Sequence, residues 1–391
     1  MTRPDSRSQV ALLRVLRDEG PRSRAELGDL TGLTRPKLMA EIARLEQLGL
    51  VRHGGQAASR GGRRSTMVSI DPHVRFVAVA IGATSVDVAV TDGHLGILDR
   101  RSEAADVRQG PKVVLRRVAE LVNKLRAEHG KALTGIGIGV PGPVRFPDGL
   151  LVSPPLMPGW NRYPVRDNFA RKYGCPVLVD NDVNMMAVGE QWGGVARSVD
   201  NFLFVKIGTG IGCGIVVHGE VYRGIDGCAG DIGHINVDPD GPVCACGNTG
   251  CLDSVFSGAA LSRDAAAAAG SGSSPVLAAR LEQRGTVTPI DVADAAAVGD
   301  PVAVRLIRQG GRRLGLVLSG LVGFMNPSLI VIGGGLSNLG HVLLADIRGV
   351  VYRRSLPMAS GNLPIVLSEL GETAGVIGAA ATISDHVFRI S

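Results

Sequence analysis

The sequence predicts an α/β protein built of two similar lobes, preceded by a small winged helix-turn-helix domain. Three observations support this. The first 50 residues carry three stretches of helical hydrophobic spacing, followed by a strand, a Gly/Arg-rich loop and a second strand. The strand, glycine turn and strand read over residues 75–98 recur about 125 residues later in NFLFVKIGTGIGCGIVVHGEVY. At 391 residues, the chain also exceeds what one ordinary hydrophobic core organises.

The head is assigned to residues 1–72. In SQVALLRVLRDEG, Val10, Leu13 and Leu16 fall on one helical face. A second helix starts at a Ser23 cap and ends at Gly32. Thr34 reads as the cap of a third, with Pro36 in the first turn, where a missing N–H costs nothing. Leu38, Ile42 and Leu45 form its buried stripe, which leaves Arg35 and Lys37 facing away near its start. Such a helix is the recognition element that enters a major groove. In LVRHGGQAASRGGRRSTMVSI, a wing presents Arg60, Arg63 and Arg64 to phosphates or the minor groove. Charge agrees with this. Residues 1–75 hold 14 Lys/Arg against 8 Asp/Glu, while the rest of the chain balances at 28 of each. An excess confined to the head is the footprint of nucleic-acid binding on a neutral body, the alternative being a helical interaction module with solvated charges.

The first lobe is assigned to residues 73–185. Its amphipathic helix spans 112–128, with Val114, Val118, Leu121, Val122 and Leu125 on one side, and GIGIGVPGPV runs as a buried strand into a Gly-Pro loop. The second lobe takes residues 186–371, with a metal site and a dimer surface, and a helix within 372–391 is expected to return to the first lobe. The uncharged run 314–344 is broken by Asn326-Pro327 and by Gly333-Gly334-Gly335, so it reads as a buried helix and a buried strand rather than a membrane span. GSGSSP at 270–275 reads as a mobile loop. MTRPDSRSQV lacks an apolar core of signal-peptide length, which predicts a cytoplasmic chain with reduced thiols.

Chemistry concentrates in DIGHINVDPDGPVCACGNTGCLD, residues 231–253. Cys244, Cys246 and Cys251, with His234 ten residues upstream, offer three thiolates and an imidazole, and Gly247 and Gly250 let the chain wrap. That donor set suits a closed, structural tetrahedral Zn²⁺ site. Redox work would favour C-x-x-C at a helix start, which is absent. Cys175, Cys213 and Cys228 read as small buried hydrophobes. In VDNDVNMMAVGE, Asn181 and Asp182 sit where a strand ends and a helix opens. They are either ligand groups at a strand's carboxyl end or a helix-capping pair. The glycine turns IGTGIGCG and IGGGLS either hold phosphates with backbone N–H groups or are simply tight turns.

Taken in order, the winged head, GIGIGVPGPV, PGW at 158–160, NDVNMMAVGE, GTGIGCGI, Gly233-His234, CACGNTGCLD and GGGLS resemble the ROK family of repressors, open reading frames and kinases. The resemblance implies a sugar-kinase-like body of the actin and hexokinase (ribonuclease H-like) type. It also implies a carbohydrate between the lobes and a homodimer or dimer of dimers. Asn181, Asp182, Asp231, His234 and Asp253 fall on its sugar-binding positions, Asp182 on that of the kinase base. Kinases of the family open their first turn with an Asp that supports Mg²⁺ and phosphate, but here Ala80 stands in its place and Ala83 replaces a glycine. Without that carboxylate phosphoryl transfer loses a principal anchor. Asp231 and Asp253 replace the family's glutamates and Leu156 an asparagine, so glucose is not implied; a smaller or differently substituted sugar, a phosphorylated sugar and a nearly degenerate site all stay open. The implied protein is a non-enzymatic, sugar-controlled repressor that binds a double-stranded DNA operator through Thr34, Arg35, Lys37, Arg60, Arg63 and Arg64. The alternatives are an ATP-dependent sugar kinase carrying a DNA-binding head and a repressor that senses zinc itself.

Overall fold

The computed structural model describes residues 4–56, 66–146, 148–155 and 157–390. The chain forms two compact units, one of residues 1–182 and 376–391, the other of residues 183–375.

The first unit opens with the head. Helix α1 (Arg7–Glu19) is capped by Ser6 and buries Leu12, Leu13 and Leu16; Val10 stays only partly covered, so the buried face is rotated from the expected one. Gln9 accounts for the rotation: its side chain turns inward and Nε2 donates to buried Glu41 at 2.8 Å. A two-residue strand β1 (Arg22–Ser23) precedes α2 (Arg24–Thr31), where Ser23 and Glu26 form a reciprocal capping box and Gly32 closes the helix in the left-handed region. Helix α3 (Arg35–Gln47) carries Pro36 in its first turn and buries Leu38, Ile42 and Leu45. Strands β2 (Val51–Gln56) and β3 (Thr66–Ile70) complete an antiparallel sheet in the order β1-β3-β2.

The α/β part of this unit contains β4 (Phe76–Ile81), β5 (Ser85–Thr91), β6 (Ile97–Ala104), α4 (Pro111–His129), β7 (Gly135–Val140), a small ribbon of β8 (Val144–Arg145) and β9 (Leu150–Leu151), α5 (Val165–Tyr173) and β10 (Val177–Asn181). The sheet order is β10-β7-β4-β5-β6, antiparallel from β4 to β6 and parallel from β4 to β10. Helix α4 buries Val114, Val118, Leu121, Val122 and Leu125, the stripe read from its spacing. Trp160 is fully buried, and its indole N–H donates to the Val107 carbonyl at 2.9 Å.

The second unit follows α6 (Asp182–Gly193) with β11 (Phe202–Ile207), β12 (Ile211–Val217), β13 (Glu220–Val221), α7 (Leu252–Val255), α8 (Gly258–Gly270), α9 (Pro275–Arg284), α10 (Pro289–Ala297), α11 (Pro301–Met325), β14 (Leu329–Gly333), α12 (Gly340–Arg354), α13 (Pro357–Ser360) and β15 (Ile365–Leu367). Its sheet runs β13-β12-β11-β14-β15, with an antiparallel hairpin on one side of β11 and parallel strands on the other. This is the plan of the first sheet repeated, strand for strand, as the recurring glycine-turn hairpins predict. The uncharged run resolves into the end of α11, an Asn326 cap at φ +47° and buried β14. Among the described residues no helix is long and apolar enough to cross a membrane.

The stretch 270–275 is not a loose loop. Ser274 is fully buried, caps α9 through the Leu277 N–H and donates to Asp300 at 2.7 Å. The polar composition hides an N-cap anchored by a neighbouring helix start.

The last helix, α14 (Ala374–Val387), begins in the second unit and continues into the first. Within the first unit it lies so close to the sheet that a Cβ on Gly137 of β7 would overlap the Ala379 carbonyl. Glycine at that strand position admits a helix backbone where any side chain would exclude it.

Candidate functional site

Two regions carry the recognisable chemistry, one in each unit. In the second unit, His234 ends a 3₁₀ turn (Ile232–His234), and residues 243–249 double back through a bridge between Val243 and Thr249. Gly247 turns this hairpin at φ +91°. Gly250, at φ +68°, brings the returning chain so close that a Cβ there would overlap the Asp238 carbonyl. Asn236 bridges Cys251, and Arg313 of α11 donates to the Val237 carbonyl at 2.6 Å and to Asp238 at 3.0 Å. Sequence reasoning gives no hint of that arginine, since it lies over 60 residues from the cluster in an ordinary amphipathic helix.

The result is a convergence of His234, Cys244, Cys246 and Cys251, whose donor atoms all lie within 4.8 Å of one another. Cys244 Sγ is 3.6 Å from His234 Nδ1, and Cys246 Sγ is 3.7 Å from Cys251 Sγ. Around one tetrahedral Zn²⁺, sulfurs would stand roughly 3.8 Å apart and sulfur and nitrogen roughly 3.6 Å, from bond lengths of about 2.3 and about 2.05 Å. The two pairs at 3.6 and 3.7 Å match that spacing, and the whole set, within 4.8 Å, is compact enough to converge on one such ion. Burial, with crowding by its neighbouring thiols, pushes the Cys251 thiol up to about 12 and also raises Cys244; the Asn248 backbone N–H pulls Cys246 down. A cation held there would remove the conflict by taking all three as thiolates. All six cysteines are free. Cys175 and Cys213 are buried, as small hydrophobes should be, but Cys228 is exposed on the chain between β13 and the His234 turn, so the buried reading fails for it.

With Nδ1 turned toward the thiols, His234 presents Nε2 on its other side, 3.9 Å from the Asp231 carboxylate. Asp253, in the first turn of α7, accepts the Ile211 N–H at 2.6 Å through Oδ1. Burial pushes its carboxyl up to about 6, against the opposing pull of the Ile211 N–H and His234. Asp253 thus also fastens the IGTGIGCG hairpin. Within that turn the Gly208 N–H donates to the Gly210 carbonyl at 2.9 Å, so that N–H is spent internally, as in a plain tight turn.

In the first unit, Asn181 ends β10 and donates its amide to the Gly142 carbonyl at 2.9 Å, while Asp182 opens α6 and is buried. Ala80 lies near the end of β4, opposite Asp87 of β5. The Asp87 carboxylate, on the same face, is held by Arg100 at 2.5 and 3.0 Å.

In the head, Thr34, Arg35 and Lys37 are all exposed at the start of α3. Thr34 has the extended backbone of an N-cap, but its hydroxyl makes no capping bond. Arg60, Arg63 and Arg64, like Leu156, lie outside the described residues. Arg52, exposed on β2, is a basic wing residue that attention to the loop's arginine cluster passed over.

Comparison with known proteins agrees with this division. Residues 5–65 match the model of the MarR family, and residues 76–386 match that of the ROK family. A glucokinase of Halalkalibacterium halodurans is 34% identical over 307 residues, 78% of this chain and 93% of its own. The xylose repressor of Bacillus subtilis is 26% identical over 385 residues, 97% of this chain and 95% of its own. A crystal structure of a ROK family transcriptional regulator, a homologue of the E. coli MLC protein, superposes with a TM-score of 0.81 at 26% identity, covering 97% of this chain and 95% of that one. With most of its length matched, and in the order its motifs predict, the chain belongs to the ROK family.

Proposed function

We propose that this protein is a DNA-binding transcriptional repressor of carbohydrate-related genes whose operator affinity is controlled by a bound sugar or sugar derivative. The observation that carries this reading is the winged head, with Thr34, Arg35 and Lys37 exposed at the start of α3 ahead of a ROK domain. The full-length similarity to a xylose repressor and to a ROK regulator structure supports it. Arg35 and Lys37 read the major groove, and Arg60, Arg63 and Arg64 of the wing meet the DNA backbone or the minor groove. The residues that recognise the carbohydrate are Asn181, Asp182, Asp231, His234 and Asp253, and sugar binding relieves repression. The protein acts in the cytoplasm as a homodimer or dimer of dimers.

His234, Cys244, Cys246 and Cys251 hold a structural Zn²⁺, which when bound fixes the knuckle and neutralises the thiolates. Its effect on recognition is indirect: with Nδ1 committed, the imidazole is fixed in tautomer and direction, and Nε2 is left for a sugar hydroxyl.

A sugar kinase with a DNA-binding head is the second reading, favoured by the glucokinase similarity and by Asp182 at the position of the family's base. Ala80, and Asp87 tied to Arg100, argue against it, because a base without an anchored phosphoryl donor does little.

Three measurements test these assignments. Affinity for duplex DNA should fall steeply with salt, and Arg63→Ala with Arg64→Ala should flatten the log–log slope by up to about 2, near 0.9 per lost phosphate contact. Equal slopes would remove the wing from the phosphates. In a coupled assay of ADP release over hexoses, pentoses and amino sugars, turnover should not exceed that of Asp182→Asn; clear sugar-dependent turnover would establish the kinase. Elemental analysis should find one zinc per chain, and Cys246→Ser should weaken zinc binding by more than the roughly 10- to 100-fold that outer-shell changes cost. A variant that keeps its zinc would exclude Cys246 from the ligand set.

A further inference from the structure

The last turn of α1 carries a charged side chain, Arg17, that is only 4% exposed. Its guanidinium points out of the head. Nη1 donates to Asp385 at 2.7 Å and to the buried Ser384 hydroxyl at 3.1 Å, both on α14. Nε is held by Asp18 at 2.6 Å, and the guanidinium carbon lies 5.9 Å from the centre of the Phe388 ring. Phe388 in turn packs edge-on against Phe76, 6.0 Å away on β4, the middle strand of the first sheet. On the same turn the Arg17 carbonyl lies 3.3 Å from Nδ1 of His94, from the turn between β5 and β6. A buried guanidinium with fixed acceptors tolerates little displacement, because moving away strands its charge out of water. The head is therefore bolted to α14 rather than tethered by its linker alone.

Helix α14 is also one of the two places where the chain passes from one unit to the other, the second being the start of α6. Its first residue is gripped in the second unit. A Cβ on Gly189 of α6 would overlap the Ala374 carbonyl, and just upstream the Ser368 hydroxyl donates to the fully buried Glu190. One continuous helix thus starts against the elements of the second unit and ends in the grip of Arg17.

We propose that the Arg17–Asp385–Ser384 contact couples the head to α14, so that DNA binding and the state of the second unit influence each other through this helix. The proposal deepens the reading of the chain as a ligand-controlled DNA-binding protein and rests on it. Arg17 is a positioning residue here and touches neither DNA nor sugar. Coupling of this kind is reciprocal, so DNA on the head must be felt at α14 even with no sugar present.

The test is hydrogen–deuterium exchange of the full chain with and without a duplex that the wild-type protein selects from a random pool. In the wild type, the duplex should slow exchange in α1–α3 and, by at least about threefold, in residues 380–388. In the double variant Arg17→Met with Asp385→Asn, which leaves no orphaned charge between the two, the head should still be protected by the duplex while the response of 380–388 disappears. Arg17→Lys, which keeps the charge but loses the fork, should restore part of it. Protection of the head with no change at 380–388 in the wild type would overturn the proposal without needing any variant. So would a double variant whose α14 still responds in full. If the duplex protects nothing in the head, the DNA-binding reading itself fails and the coupling falls with it.

Discussion

The absence of a side chain at two glycines sets how closely the last helix can approach its supports. At Gly137 it admits the Ala379 carbonyl against β7, and at Gly189 it admits the Ala374 carbonyl against α6. In both places backbone meets backbone, closer than any other residue allows. Because the first contact belongs to the first unit and the second to the other, one helix serves both packings. The far end of that helix then provides the acceptors for Arg17 of α1.

The cysteine–histidine knuckle solves a different problem. A loop rich in glycine and proline has little apolar surface with which to fix itself, so its shape must come from elsewhere. Arg313 fastens the loop to α11, and an ion held by the four converging donors would fix the rest. His234 stands among them with its Nε2 3.9 Å from the Asp231 carboxylate, and its imidazole is near enough to Asp253 to pull that carboxyl down. Asp253 is less free than a simple ligand group, because its carboxylate already holds the Ile211 amide. Any hydroxyl it recognises must share it with the hairpin.

Much of the fold could be read in the sequence because it rests on local signals. Helical spacing located α4 and the buried stripe of α3, a Ser23 cap marked α2, and two glycine-turn hairpins announced a repeated sheet plan. The donor cluster was legible for the same reason, as its residues lie within eighteen positions. The failures came where distant partners decide the outcome. Gln9 turned the buried face of α1 because Glu41 lay opposite, and Ser274 became a buried cap because Asp300 met it. Arg313 meets its partner in a loop 75 residues away. Arg17 is the strongest case: spacing marks it as a residue of the last turn of an amphipathic helix, and nothing local indicates partners 367 and 368 positions downstream.

Our central proposal is a repressor in which a sugar bound to a kinase-like body controls a DNA-binding head. Its most direct test is a map of the protein's binding sites across its own genome, made before and after cells are fed individual sugars. The account predicts discrete sites of near-palindromic sequence beside carbohydrate transport and catabolic genes, emptied by one sugar or its derivative. Diffuse occupancy without preferred sites, or discrete sites that no carbohydrate alters, would contradict it.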